Sequence, residues 1–367
     1  MNAFLLSHLP YIKHFWNIFT ASNSYQHMKI HLTILFASLS FLSFSQTDST
    51  EVLEDYSNYG EPEGVKRYAT QKVLNQTPQK IISLGYEYTG GFHMPGLRIA
   101  ESISILEDKH VNQVNVVKAQ LNIPVVATNK IIWQLGANYW GSQFQVENPG
   151  TNAFAQLLNQ SSLISAGINS TIFKPLNETN FMIFQASADV NGLFNQQAKV
   201  TSNALTLSAT AIYGWKKSEN NMIGTGIART YRAGRLIYVP VLFWNKTFND
   251  KWGMELLVPA RGFVRYNINT SNIIQAGFEL EGNQFSMPIP STQRDLFYLQ
   301  RGEFKPRIMW DKKITGFLWF SAQVGLRYNY RFDVMNKYDG KEDNERYFTS
   351  NLGNPLYFNF SLNFVSP

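Results

Sequence analysis

Leu356-Tyr357-Phe358-Asn359-Phe360-Ser361-Leu362-Asn363-Phe364 carries the clearest alternation in the chain. Large apolar side chains at Leu356, Phe358, Phe360, Leu362 and Phe364 alternate with Tyr357, Asn359, Ser361 and Asn363. Successive side chains of a β-strand point to opposite faces, so this period of two predicts a strand with one apolar and one polar face. The same period recurs upstream. Leu205, Leu207, Ala209, Ala211 and Tyr213 oppose Thr206, Ser208 and Thr210. Ile164, Ala166, Ile168 and Ile172 oppose Ser165, Gly167, Asn169 and Thr171, and Val117, Ala119, Leu121, Ile123 and Val125 oppose Lys118, Gln120 and Asn122.

A water-soluble sandwich or a barrel in lipid would both supply such faces. A sandwich turns its polar face to bulk water and charges it heavily, whereas here that face is mostly Ser, Thr, Asn, Gln and Gly. Charged residues are 16% of the 367-residue chain and aromatics 14%, with mean hydropathy slightly negative. Low charge, many aromatics and no bulk hydrophobicity suit a transmembrane barrel, where lipid-facing and lumen-facing positions cancel in the average. The fold expected is all-β, a transmembrane antiparallel up-and-down β-barrel over residues 81–367, as a single domain.

The connections give the strand count. Short turns are expected at 126–130, 174–180, 216–221, 245–251 and 311–316, and longer loops near 89–110, 145–160, 191–203, 283–296 and 331–354. Short and long alternate, as in barrels with tight periplasmic turns and longer outer loops. The parity needs Trp252–Pro259 and Phe263–Asn269 to be separate strands joined at Ala260-Arg261-Gly262. That gives about fourteen strands, or about twelve if 252–269 is one strand. Trp133, Trp215, Trp244, Trp252, Trp310 and Trp319 all lie near the short turns. They are candidates for a membrane-interface belt, where an amphipathic ring meets headgroups. The alternative is that large aromatics simply end strands.

Residues 28–45 read as a signal peptide. Met28-Lys29-Ile30-His31 precedes an apolar run from Leu32 to Phe44, and cleavage is expected after Ser45. Residues 1–27 are read as a start-site artefact, with translation beginning at Met28. Residues 46–80, with Glu51, Glu54, Asp55, Glu61 and Glu63 and no hydrophobic period, read as a polar periplasmic leader, disordered or lightly docked.

With these features together the chain resembles Gram-negative outer-membrane β-barrel proteins, and in detail an uncharacterised, domain-of-unknown-function group among them. The resemblance covers about residues 80–367 and rests on pattern rather than on a catalytic motif. It implies residence in the cell outer membrane, contact with outer-membrane lipid, and recognition of the last strand, Leu356 to Phe364, by the barrel-assembly machinery. Such barrels usually end in an aromatic residue; here Val365-Ser366-Pro367 follow Phe364.

Candidate chemistry is sparse. The chain has no cysteine, which removes disulfides, thiolate metal sites and cysteine nucleophiles. The net charge of +6 forms no dense basic block, so no nucleic-acid partner is expected. Beyond the signal peptide only His93 and His110 remain, both in the first long loop. No metal, cofactor or catalytic residue is expected. The Lys337–Arg346 segment reads as a solvated outer loop, and its acid spacing misses the EF-hand pattern.

The charged positions are more telling. Arg301, Glu303, Lys305 and Arg307 alternate along one strand, with Glu279 and Glu281 on the strand before, Arg265 before that and Arg327 on the strand after. An Arg or Lys facing lipid at mid-membrane costs roughly 2–4 kcal/mol, so this face is expected to point inward. There it is either a salt-bridged ladder filling the lumen or a selectivity surface in a permeation path. The preferred reading is a channel or binding barrel for small solutes. The rival is a non-conducting structural or assembly-related envelope barrel with partner-binding outer loops, and an outer-membrane hydrolase comes third.

Overall fold

The computed structural model describes residues 68–95, 98–99, 108–150, 153–194, 204–288, 296–342, 345–349 and 351–366. The expected signal peptide, the start-site segment and most of the leader lie outside these residues. The strands are β1 (Lys80–Thr89), β2 (Phe92–Met94), β3 (Arg98–Ile99), β4 (Lys109–Thr128), β5 (Ile131–Val146), β6 (Ser162–Pro175) and β7 (Asn180–Phe194). They continue as β8 (Leu205–Ser218), β9 (Asn221–Thr230), β10 (Ile237–Thr247), β11 (Trp252–Val258), β12 (Arg261–Asn269), β13 (Asn272–Met287) and β14 (Phe297–Thr315). The last are β15 (Leu318–Leu326), β16 (Tyr328–Met335), β17 (Arg346–Thr349) and β18 (Leu356–Val365), and helix α1 (Ala153–Gln160) precedes β6.

Each barrel strand pairs antiparallel with its neighbour, and β1 closes the ring by pairing with both β4 and β18. Tyr86, for example, lies opposite Val117 on one side and Phe360 on the other. Fourteen strands close the barrel, because β2, β3, β16 and β17 extend it only beyond one end. The 252–269 stretch is indeed two strands, with the tight turn at Pro259-Ala260.

Burial identifies the solvent. Leu356, Phe358, Phe360, Leu362 and Phe364 are exposed, whereas Tyr357, Asn359, Ser361 and Asn363 are buried. Ile168, Leu207, Ile227, Leu242 and Ile308 are likewise exposed on other strands. A soluble protein does not cover itself with a continuous apolar band; hydrocarbon stabilises this one, so the barrel spans a membrane.

The two ends differ. At the loop end the wall is uneven: β13 and β14 run for 16 and 19 residues, β11 and β12 for only 7 and 9. Past the low wall, where the Leu280 amide donates to the Ala260 carbonyl (2.8 Å), β13 leans across the barrel. Ser286 reaches Gly192 of β7 in a parallel pairing, and the Asn283 amide donates to Ser165 at 3.2 Å. Opposite walls therefore meet, and the barrel flattens into two packed layers. Phe285, Phe297, Leu299, Phe332 and Val334 supply one layer; Val114, Val116, Phe144, Leu163 and Leu193 supply the other, joined by Phe154 and Leu158 of α1. The sequence permits this because the inward face of β4 changes from Lys118, Gln120 and Asn122 to Val116 and Val114 as it leaves the membrane.

At the turn end, part of the expected leader is docked. Ala69 and Val73 pack on Phe173, Phe181 and Met222. The Ala69 and Leu74 amides donate to the Asn177 and Glu219 carbonyls, each at 2.9 Å. Residues 68–79 thus cross the inside of the turns that end β6, β8 and β10.

Candidate functional site: the barrel interior

Nine charged side chains meet in a layer across the barrel beneath the flattened end. Lys305 Nζ donates to both oxygens of Glu87, each at 2.8 Å, and lies 3.3 Å from Glu281. Lys118 bridges the same two carboxylates at 3.0 Å each. Glu303 is held on both sides: by Arg301 through two nitrogens (2.8 and 2.6 Å) and by Arg327 through Nε (3.1 Å) and a second, shorter contact. Arg327 also donates to the Thr89 hydroxyl (3.0 Å), and Arg307 pairs with Glu279 at 2.7 Å.

The pairing follows from register. Glu281 lies directly opposite Glu303, a like-charge position, and Glu279 opposite Lys305. The ion pairs form instead on the diagonal, Glu281 with Lys305 and Glu279 with Arg307, within reach of long side chains. Rings cover the remaining cation faces. Arg301 lies 4.6 Å from the Trp140 ring centre and Lys305 4.1 Å from that of Tyr357. Glu303 and Lys305 are both fully buried. Charges so desolvated persist only when paired.

Seven of the eight charged residues singled out in the sequence converge here. Arg265 stands apart near the turn end, where it donates to the Leu74 and Asn75 carbonyls and to the Thr247 hydroxyl (2.5 Å), with Glu255 at 3.3 Å. Its partner is the docked N-terminal segment, which carries no strand period to give it away. Two members of the layer, Lys118 and Glu87, carry no comparable signal in the sequence. Lys118 reads as one more polar position of β4, and Glu87 is the single acid of β1; its inward row, Ser83, Gly85, Glu87 and Thr89, is the signal that marks it.

Of the six tryptophans, Trp133, Trp215, Trp244, Trp252 and Trp310 lie on the outward rows near the turns. Trp319 differs: it points inward and is buried against Ile273 and Val365. Its distance from a turn matched the others, but its parity on β15 placed it on the row of Ser321. The two histidines pair across β2 and β4, and His93 Nε2 lies 3.4 Å from an exposed Asp108. Among the described residues no cluster of three His, Cys, Asp or Glu side chains could hold a metal.

Between the charge layer and the docked segment the β4–β8 side of the interior is polar and accessible, whereas Ile212, Ala228, Val241 and Leu257 make the β8–β11 side apolar. Gln120 and Gln185 point inward and are nevertheless exposed. Here Asn138 Nδ2 donates to Asp189 (2.9 Å), as does the Ser187 hydroxyl (3.0 Å), and the Gln79 amide donates to Gln134 (2.9 Å).

Fold and interior together define a transmembrane β-barrel with a charge-paired layer across its lumen. The chain belongs to the family described as Domain of unknown function (DUF6268), whose model matches residues 105–364. No curated protein matches it. Among solved structures it is similar to a FadL homologue of Pseudomonas aeruginosa, at 9% identity and a TM-score of 0.37, covering 78% of this chain and 90% of that one. It is also similar to an outer-membrane channel from Pseudomonas putida F1, at 9% identity and a TM-score of 0.36, covering 83% and 99%. The toluene transporter TodX of P. putida gives 7% identity and a TM-score of 0.35, covering 77% and 88%.

Proposed function

We infer that the protein is an outer-membrane barrel that is closed to through-passage, with its turn end in the periplasm and its flattened end outside. The observation that carries this reading is the charge layer. Arg301 and Arg327 are matched by Glu303, Lys305 by Glu87 and Arg307 by Glu279, and none of these pairs is presented to a water-filled path. A selectivity surface needs side chains free to exchange partners with a passing ion. Fully paired buried charges stiffen the wall instead, because each partner fixes the other. The apolar sandwich beyond adds a second barrier, since moving an ion through it would strip its hydration.

Single-channel recording on refolded residues 46–367 in planar bilayers tests this. The folded barrel, identified by heat-modifiable gel mobility and β-type circular dichroism, is expected to give no conductance steps. Reproducible steps that scale with salt would overturn the reading and restore the channel.

A further inference from the structure

Three neighbouring rows of the β4–β8 wall face the accessible part of the lumen, and they are chemically uniform. Gln120, Asn138, Gly167 and Asp189 lie in one hydrogen-bonded row. Asn122, Gly136, Asn169 and Ser187 form the next. Gln134, Thr171, Gln185 and Thr210 form the third. Asp189 is the one ionisable group in these rows.

The glycines set the shape of this wall. A Cβ at Gly136 would come within 2.6 Å of the side chains of Asn122 and Asn169, and one at Gly167 within 2.2 Å of the Asp189 carboxylate. Amides and carboxylate therefore lie flat across bare backbone, where a Cβ would push them into the lumen. The space gained is bordered by donors and acceptors side by side.

We propose that this β4–β8 wall, centred on Asn138, Asp189 and Gln185, is a binding site for an uncharged polyhydroxylated solute, a sugar or polyol. Amide and carboxylate side chains together can both donate to and accept from vicinal hydroxyls. An anion finds no unpaired cation here, since Lys118 is already shared by Glu87 and Glu281 and Lys80 is turned to Ser321 and Asp311. An apolar molecule would strip water from the amides and leave them without partners. Each Asp189 oxygen already accepts one hydrogen bond, from Asn138 or Ser187, which fixes the carboxylate and leaves lone pairs for a hydroxyl. A site on one wall needs entry from one end only, so it is compatible with a barrel that conducts nothing.

The test is equilibrium dialysis of the folded barrel in detergent micelles against radiolabelled glucose, maltose and sorbitol, with tetramethylammonium and phosphate as comparators. Saturable binding of at least one of the three uncharged probes is expected, with neither comparator competing. Asp189→Asn should weaken it about tenfold, as loss of a charge-assisted hydrogen bond predicts. Gln185→Leu is the second variant, because its side chain is exposed and its loss spares the fold; it should weaken binding severalfold. No saturable binding of any of the three overturns the proposal, as does binding that neither substitution alters. Competition by tetramethylammonium would make the wall a cation site and overturn it equally. Conductance is measured separately, so failure of this site and failure of the closed-barrel reading are distinguishable.

Discussion

Lys305 and Glu87 are separated by 218 residues in sequence, yet the ammonium sits 2.8 Å from both carboxylate oxygens. The pair passes over the inner faces of β15 and β18 and ties β14 to β1, which share no hydrogen-bonded edge. Removing the Glu87 charge leaves Lys305 and Lys118 to share Glu281 alone, an excess of positive charge in the interior. Glu87→Gln is expected to lower unfolding free energy by about 3–5 kcal/mol. Pairing it with Lys305→Met should recover most of that loss, because the unmatched cation goes too. Urea titration of the single and double variants in lipid vesicles gives the coupling. Strictly additive losses would show that the two residues do not interact.

The flattened end brings Ser165 and Asn283 of opposite walls into contact at 3.2 Å. The natural chain has no cysteine, so Ser165→Cys with Asn283→Cys creates a lone thiol pair. A short homobifunctional thiol reagent should cross-link them in nearly every folded molecule and leave heat-modifiable mobility intact. A barrel whose loop end stands open would keep both thiols singly labelled.

How far the sequence could be read follows from what the two-residue period encodes. In β18 a strict alternation marks strand, facing and lipid contact at once, because each outward residue meets hydrocarbon and each inward one meets the lumen. The charged face of β14 was legible for the same reason. What alternation does not encode is which distant strand an inward residue meets. Glu87 gains meaning only when closure sets β1 beside β4 and the layer reaches across to β14. The lean of β13 was also hidden, since it arises from unequal strand lengths between β11–β12 and β13–β14. Arg265 and Trp319 mark the two other limits: a partner from a segment without periodicity, and a facing that one residue of register reverses.

Arg265 holds the N-terminal segment at the turn end through the Leu74 and Asn75 carbonyls. Hydrogen bonds to a charged group contribute about 1.5–3 kcal/mol, so Arg265→Gln should expose the segment roughly tenfold or more often. Limited trypsin digestion would read this as faster cleavage after Lys72 with the barrel core intact. An unchanged rate would mean that the apolar contacts of Ala69 and Val73 alone keep the segment in place.

The tryptophans offer a direct assay of facing. We propose that Trp133, Trp215, Trp244, Trp252 and Trp310 form the interfacial belt, with Trp252 packed at a tilt against Tyr266 at 4.8 Å between ring centres. Indole nitrogens of Trp133 and Trp244 reach Ser170 (2.9 Å) and Asn221 (3.1 Å), which fixes their rings at the strand ends. Acyl chains brominated near the headgroup quench an indole only on contact. Trp252→Phe should therefore reduce the quenched fraction of barrel fluorescence, because an exposed ring on the lipid face is lost. Trp319→Phe should raise it, because a shielded emitter disappears while the belt stays. Reversal of the two results would turn β15 over and with it the inward placement of Ser321.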